Sequence, residues 1–504
     1  MSFRQIINVS FSVLALVISG ETQAQDKTYD EIATSLSLRL ANAGHLVAEG
    51  GFLAFKKEDC EKIIPTFGTC FANNPAAPYT IATPPRASGE YIDPFYGDFA
   101  GLIEKPLQGT YRLDSKEALV VIGKTPPAAA YFGFQSYLFT RLNTQVIRRV
   151  IDDSFSGLLE TLFGSSPNPE RFYQFAAISD SFNDKWLARS IGKSSAWGEQ
   201  FAVITTANLK TAEMVMTQLI ATGMAAERIY VKKIPSQVSL GLGRFSDDLN
   251  SLIRYSVPQS QSAADAWLAN PTLRLLRVTP VRTTLVRYGE FVPEERSANN
   301  ESHLKPGLQE VSDKIAGKIN LTNRQSASLL PVSVIGVQGP NCIKNRMNCL
   351  GDTFDTDTYR AGGFNPLGRN DVWIVTGVNH TLTGNATYIS LGLNNQDTDT
   401  GIQSESQTGP AAGFIRGNLN GSIERVLGGD ASGLSDAART NLQKYYVRLF
   451  SRDCSGLPEC TVVADDLPLD ATAVILQRAY IKPGTVRSAD PDLLVSPVLV
   501  QGQR

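Results

Sequence analysis

The sequence predicts an α+β fold, with a central mixed sheet containing a β-α-β unit and a β-rich C-terminal portion. Three observations carry that expectation. Phe201–Thr206 is a β-branched run, Leu209–Thr222 has helical composition and stops at Gly223, and Arg228–Ile234 alternates, which together make a β-α-β unit of ordinary length. Apolar runs of strand length, Ala118–Gly123 and Leu273–Pro280, flank it. Beyond Pro280 the chain becomes rich in Gly, Asn, Thr and Asp, the composition of strands joined by turns.

Taken in order, residues 1–24 have the pattern of a signal peptide: an early cation at Arg4, an apolar stretch Ile6–Ile18, and small residues around Ala24. That stretch falls short of the roughly 20 residues needed to cross a bilayer, and no later uninterrupted run reaches that length, so no transmembrane segment is expected in the mature chain. The remainder divides into a helical then irregular region (25–115), an α/β region (116–293) and a β-rich region (294–504). Tyr29–Ala43 predicts an amphipathic helix through Ile32, Leu36 and Leu40, ending near Gly44. Prolines 75, 78, 84, 85 and 94 break any long element between Phe67 and Gly109, which reads as an irregular excursion. Ala118–Gly123 and Ala130–Phe139 predict two strands around a proline turn, and Thr144–Phe163 returns to helical periodicity. Phe172–Ile178 and Leu273–Pro280 are expected to join the central sheet. Glu294–Lys305 is polar, a surface loop or domain seam. Asp371–Thr381 and Ala386–Leu393 form a candidate hairpin around Leu382–Asn385, and Tyr446–Phe450, Cys460–Val463 and Ala473–Ile481 supply late apolar segments. No internal repeat is visible.

The six cysteines fall into three close pairs, Cys60 with Cys70, Cys342 with Cys349, and Cys454 with Cys460. None of these spacings matches the short knuckle that lets two thiolates grip one ion, and no histidine lies within a pair. Nearest-neighbour disulfides follow, each worth on the order of 2–3 kcal/mol through the small loop it closes. Disulfides persist in oxidising compartments, so the expected location is secreted or periplasmic. A net charge of −2 gives no global field for nucleic acid, and no basic run or zinc-finger spacing is present.

Chemistry is constrained by the presence of only three histidines, His45, His303 and His380. His380 is the preferred general base because the run of hydrophobic and small residues Val375–Asn379 delivers it to the mouth of the candidate hairpin. Its sequence-near carboxylates are Asp352, Asp355 and Asp357, where Asp and Thr alternate; Asn394–Asp399 is a second such segment. Oxygen-rich runs of this kind suit calcium, but neither completes the twelve-residue calcium loop, and Asx-rich turns are the favoured reading. Otherwise no cofactor is indicated. No Gly-x-Ser-x-Gly elbow occurs, and Ser190–Lys193 matches only the short Ser-x-x-Lys pattern. Tyr91–Phe99 is dense in aromatics and acids, and Tyr91, Phe95, Tyr96 and Asp98 could line a sugar-binding or apolar cleft. The expected function is hydrolysis of an extracellular or periplasmic substrate, with His380 as acid or base and one of Asp352, Asp355 or Asp357 as its partner; the alternative is a non-catalytic ligand-binding or cell-surface protein using the aromatic strip.

Overall fold

The computed structural model describes residues 27–71, 73–74, 79–142, 167–331, 353–406, 415–463 and 465–504, together with 342–344, 346, 349 and 351. The predicted leader, the helix expected at Thr144–Phe163, and Asp352 lie outside the described residues.

Apolar runs that alternate in size become strands buried on both faces. The first half contains α1 (Tyr29–Asn42), β1 (Leu46–Glu49), β2 (Gly51–Phe55), α2 (Cys60–Phe67), β3 (Tyr79–Thr83), β4 (Ala118–Lys124), β5 (Ala129–Leu142), β6 (Arg171–Ala177), β7 (Phe182–Asn183), α3 (Asp184–Ser190), β8 (Gln200–Thr206), α4 (Leu209–Thr222), β9 (Ile229–Lys233), β10 (Asp248–Pro258), α5 (Gln261–Ala269) and β11 (Leu273–Thr279). The second contains α6 (Lys305–Lys318), β12 (Thr322–Ser328), β13 (Leu330–Pro331), β14 (Thr356–Pro366), β15 (Asp371–Val378), β16 (Tyr388–Asn395), β17 (Thr400–Ser406), β18 (Ile415–Asn418), α7 (Ser422–Leu427), α8 (Asp436–Thr440), β19 (Tyr445–Ser451), β20 (Cys460–Val462), β21 (Thr472–Tyr480) and β22 (Val498–Gln503). The fold class is therefore α+β, with the expected β-α-β unit at β8, α4 and β9, whose strands pair in parallel.

The two halves share one strand topology. In the first half the sheets run β1-β11-β4-β8-β9 and β2-β3-β10-β5-β6, with β7 on β5; in the second they run β12-β22-β15-β19-β20 and β13-β14-β21-β16-β17-β18. Taking β12 to β17 as counterparts of β1 to β6, and β19 to β22 as counterparts of β8 to β11, converts one pair of orders into the other. Only β7 and β18 fall outside that correspondence. Directions agree too: β8·β9 and β19·β20 are parallel, and the other matched neighbours are antiparallel. Helices α1 and α6 both have 14 residues. Each leads into its first strand through a three-residue link whose middle residue, Gly44 or Asn320, has positive φ. The expectation of no repeat is thus corrected: the duplication lies in topology and register.

Each half has three layers. The five-stranded sheet packs one face on helices, through Ile32, Leu36 and Leu40 against Val120, Ile122 and Ile204, and through Leu308, Val311 and Ile315 against Ile374, Val447 and Val500. Its other face meets the six-stranded sheet, through Leu119 and Val203 against Phe134 and Leu138, and through Trp373 and Phe450 against Leu391 and Ile475. Burial of each such side chain stabilises by about 1.5–3 kcal/mol. In the first half, α2 and the excursion around Tyr96 and Phe99 cover the outer face of the six-stranded sheet.

Two sequence expectations change. β4 and β5, like β15 and β16, are consecutive but lie in different sheets, so neither pair is a hairpin. β6 belongs to the six-stranded sheet with β5, not to the sheet of the β-α-β unit. A continuous apolar run such as Ala118–Ile122 reports that a strand has two covered faces; it does not report which strand lies beside it.

Candidate functional site

His380 follows β15 by two residues and is completely buried. Its Nδ1 lies 3.0 Å from Glu301 Oε1. Glu301 comes from the polar segment ahead of α6, and it also accepts hydrogen bonds from Thr383 Oγ1, Asn385 Nδ2 (2.8 Å) and the Val495 N–H (2.9 Å). Burial alone would raise this carboxyl, but the His380 ring and these donors outweigh it and bring it down to about 2. Tyr359 stacks on the imidazole, with ring centroids 6.1 Å apart. His380 Nε2, Tyr359 OH and Asp357 Oδ2 are buried and accept or donate no hydrogen bond.

The carboxylates near His380 in sequence are placed differently from one another. Asp357 accepts from Arg296 Nη1 at 2.7 Å, and burial, partly offset by Arg296, pushes it up to about 6. Asp355 is turned toward the first half, accepting from Tyr131 OH (2.5 Å) and Thr353 Oγ1 (2.6 Å). The orienting carboxylate of His380 is therefore Glu301, which sequence reasoning passed over because it sits in a run that resembles a solvated loop. Asp397 accepts from the Thr472 N–H, and among the described residues no three His, Cys, Asp or Glu side chains converge as a metal-binding group.

The aromatic strip is dispersed. Tyr96 is fully buried and stacks on Phe67 at 5.7 Å, Tyr91 lies half-buried under the Arg112 guanidinium at 4.8 Å, Phe95 is half-buried, and Asp98 is exposed. Tyr96 fills the core between the excursion and the sheet instead of presenting a contact surface.

All six cysteines pair as nearest neighbours, with Cα–Cα separations of 5.4, 5.8 and 5.6 Å, inside the span a disulfide can bridge. Cys454–Cys460 closes the loop between β19 and β20, where the first half uses α4 for the equivalent parallel crossover. Three disulfides are consistent with an oxidising compartment, extracellular or periplasmic. Among the described residues no helix is long and apolar enough to cross a membrane.

Two further features had no sequence signal. Lys232 on β9 is buried, and its Nζ donates to Gln135 Oε1 (2.9 Å), Ser179 Oγ (3.2 Å) and the Asp180 carbonyl; burial brings the amine down to about 7, opposed by Asp180 and Asp355. A surface-open trough of about 390 Å³ lies along the connecting segment, lined by Gln237, Phe291, Arg296, Lys344 and Phe354 among others. Its Arg296 is already engaged with Asp357.

Neither protein-family models nor curated proteins match this chain. Among solved structures, it is similar to an uncharacterised protein from Burkholderia cenocepacia, at 11% identity and a TM-score of 0.37 over 94% of this chain and 87% of that one. It is also similar to the VPA0106 protein from Vibrio parahaemolyticus, at 9% identity and a TM-score of 0.36 over 94% of this chain and 96% of that one. Similarity at this level carries no functional argument.

Proposed function

We propose that this chain is a non-catalytic binding protein of an extracytoplasmic compartment. The observation that carries the reading is the state of His380: fully buried, with its orienting carboxylate, Glu301, already accepting hydrogen bonds from Thr383, Asn385 and the Val495 N–H. A general base must reach a proton on its substrate, and a ring with no exposed surface does not. Asp355 and Asp357 are likewise buried, and each already accepts from a neighbour, Tyr131 and Arg296 respectively. Polar groups tied in this way hold segments together.

One observation favours the rival hydrolase reading. A carboxylate on Nδ1 and an unpartnered Nε2 is the arrangement that orients a catalytic imidazole. The two readings separate in one experiment. Purified protein is assayed against ester, phosphoester, glycoside and peptide substrates, wild type beside His380→Gln. Turnover at background in both is expected; turnover in the wild type that His380→Gln abolishes would overturn the proposal.

A further inference from the structure

The segment that joins the two halves is pinned at its ends and open between them. The Gly289 carbonyl accepts from the Ser236 N–H at 3.1 Å, and the Glu294 carbonyl accepts from Arg487 Nη1 at 2.9 Å. Arg296 Nη1 donates to Asp357 Oδ1 and to Ser488 Oγ, each at 2.7 Å. From Phe291 to Asn300 the chain runs with no turn or bend. Among the described residues, no hydrogen bond reaches the main chain of Phe291 or Val292. A straight stretch with unpaired N–H and C=O groups is a template for a second strand.

The surface trough of about 390 Å³ lies against this stretch, so the open main chain borders a space of the size that small ligands occupy. Phe291 and Phe354 meet edge to face in it, with ring centroids 5.2 Å apart, and Val292, 79% exposed, extends that apolar wall. Gln237 Oε1 is buried and accepts no hydrogen bond, while the Gln237 carbonyl is held by Arg141 Nη2 at 2.6 Å. Lys344, Glu290 and Glu295 are exposed, line the same trough and form no ion pair among the described residues. Arg296 and Glu294, by contrast, are already matched by Asp357 and Arg487. What stays open is a cation, a pair of carboxylates, a buried acceptor, an aromatic wall and a length of unpaired main chain.

We propose that this trough binds a short peptide with free ends, laid along Phe291 and Val292. The assignment rests on the non-catalytic binding reading and names its ligand class. Peptide main chain offers both donors and acceptors to the open stretch, and a donor to Gln237 Oε1. Its carboxylate is matched by Lys344, its ammonium by Glu290 and Glu295, and an apolar side chain by the phenylalanine wall. A neutral sugar would leave these charges unanswered, and a nucleotide would set its phosphates against the carboxylates.

The test is titration calorimetry with Gly-Phe-Gly, Gly-Leu-Gly and Gly-Ser-Gly, each with free ends, N-acetylated or C-amidated. The wild type is expected to bind the free-ended peptides, Phe more tightly than Leu and Leu more tightly than Ser, and to lose at least tenfold in affinity when either end is blocked. Lys344→Ala should weaken binding of the free carboxylate and be indifferent to the amide; Glu290→Gln/Glu295→Gln should do the same for the free and acetylated amine. The substituted side chains are exposed, so the Tm of each variant is expected to stay with the wild type, and the blocked peptides need no variant at all. Absence of binding by every peptide overturns the assignment and leaves the non-catalytic reading, which rests on His380, as it was. Equal affinity for free and blocked ends overturns it too, as does unchanged affinity in both variants. Peptide cleaved during the titration would instead overturn the non-catalytic reading and leave the site in place.

Discussion

At the scale of single residues, the Glu301–His380 pair sets a measurable acid limb. The Glu301 carboxyl lies at about 2 against an ordinary value of 4.5, so the folded protein holds it ionised where the unfolded chain takes up a proton. Its stabilisation is fully present above pH 4.5 and lost as pH falls toward 2. Asp357 acts in the opposite sense: with its pKa raised from 3.8 to about 6, its contribution is present below 3.8 and lost as pH rises through 6. Glu301→Gln should therefore flatten the loss of stability between pH 4.5 and 2, leave the Asp357 window unchanged, and cost about 1.5–3 kcal/mol at neutral pH. Urea denaturation across that range measures it, and an unchanged acid limb would show that Glu301 is not held ionised by its neighbours. His380 stood out in the sequence because an apolar run, Val375–Val378, leads up to it, although the hairpin expected around it does not form. Its partner was not, because 79 residues separate the two and nothing in a polar run marks which carboxylate turns inward.

At the scale of elements, the duplication makes a paired prediction. Gly123 on β4 faces Phe201, and Gly377 on β15 faces Tyr446, so the two glycines hold equivalent places beside equivalent aromatic positions. A Cβ at Gly377 would sit 2.5 Å from the Tyr446 ring, and one at Gly123 would sit 2.5 Å from both Leu273 Cδ2 and the Thr272 carbonyl. Gly123→Ala and Gly377→Ala should each destabilise by about 1–3 kcal/mol through overpacking, in contrast to an alanine at Gly317, which meets open space on α6. Thermal denaturation of the three variants checks this; a Gly377→Ala protein as stable as Gly317→Ala would mean Tyr446 moves freely. The strands themselves were readable from residues such as Ala118–Ile122 and Val372–Val378, where every position is apolar or small. Their partners were not, since the short connections after β4 and β15 carry the chain from one sheet to the other just as a hairpin turn would carry it back. Trp373 standing where Leu119 stands also shows why no repeat was visible: each half repacked its own core and kept only the register.

For the whole molecule, the question is whether two copies of one sandwich act as one unit. Among the described residues no sheet contains strands from both halves, and each half has two main cores, although Cys342, Ile343 and Cys349 of the second half join the sandwich core of the first. Main-chain hydrogen bonds join them, from the Cys70 N–H to the Thr398 carbonyl (2.7 Å), the Cys349 N–H to the Gln174 carbonyl (2.8 Å) and the Gly351 N–H to the Phe175 carbonyl (2.9 Å), and so do side-chain contacts: Arg487 paired with Asp180, Tyr131 donating to Asp355, Asn183 Nδ2 donating to the Val486 carbonyl at 3.0 Å, and the cluster of Tyr131, Tyr388, Tyr480 and Ile481. Removing a buried aromatic ring costs about 3–5 kcal/mol, a large share of the 5–15 kcal/mol that holds a typical domain, so the seam is where cooperativity is decided. The tryptophans divide usefully, with Trp186, Trp197 and Trp267 in the first half and Trp373 alone in the second. In urea, the fluorescence transition of the wild type should coincide with that of Trp373→Phe, because an intact seam makes both halves unfold together. Adding Tyr480→Ala should part them, the Trp373 signal changing at lower urea than the signal that remains in Trp373→Phe/Tyr480→Ala. A common shift of both signals in the seam variant would mean that connections beyond these side chains bind the halves, and that the ancestral sandwich no longer exists as a folding unit within the fused chain.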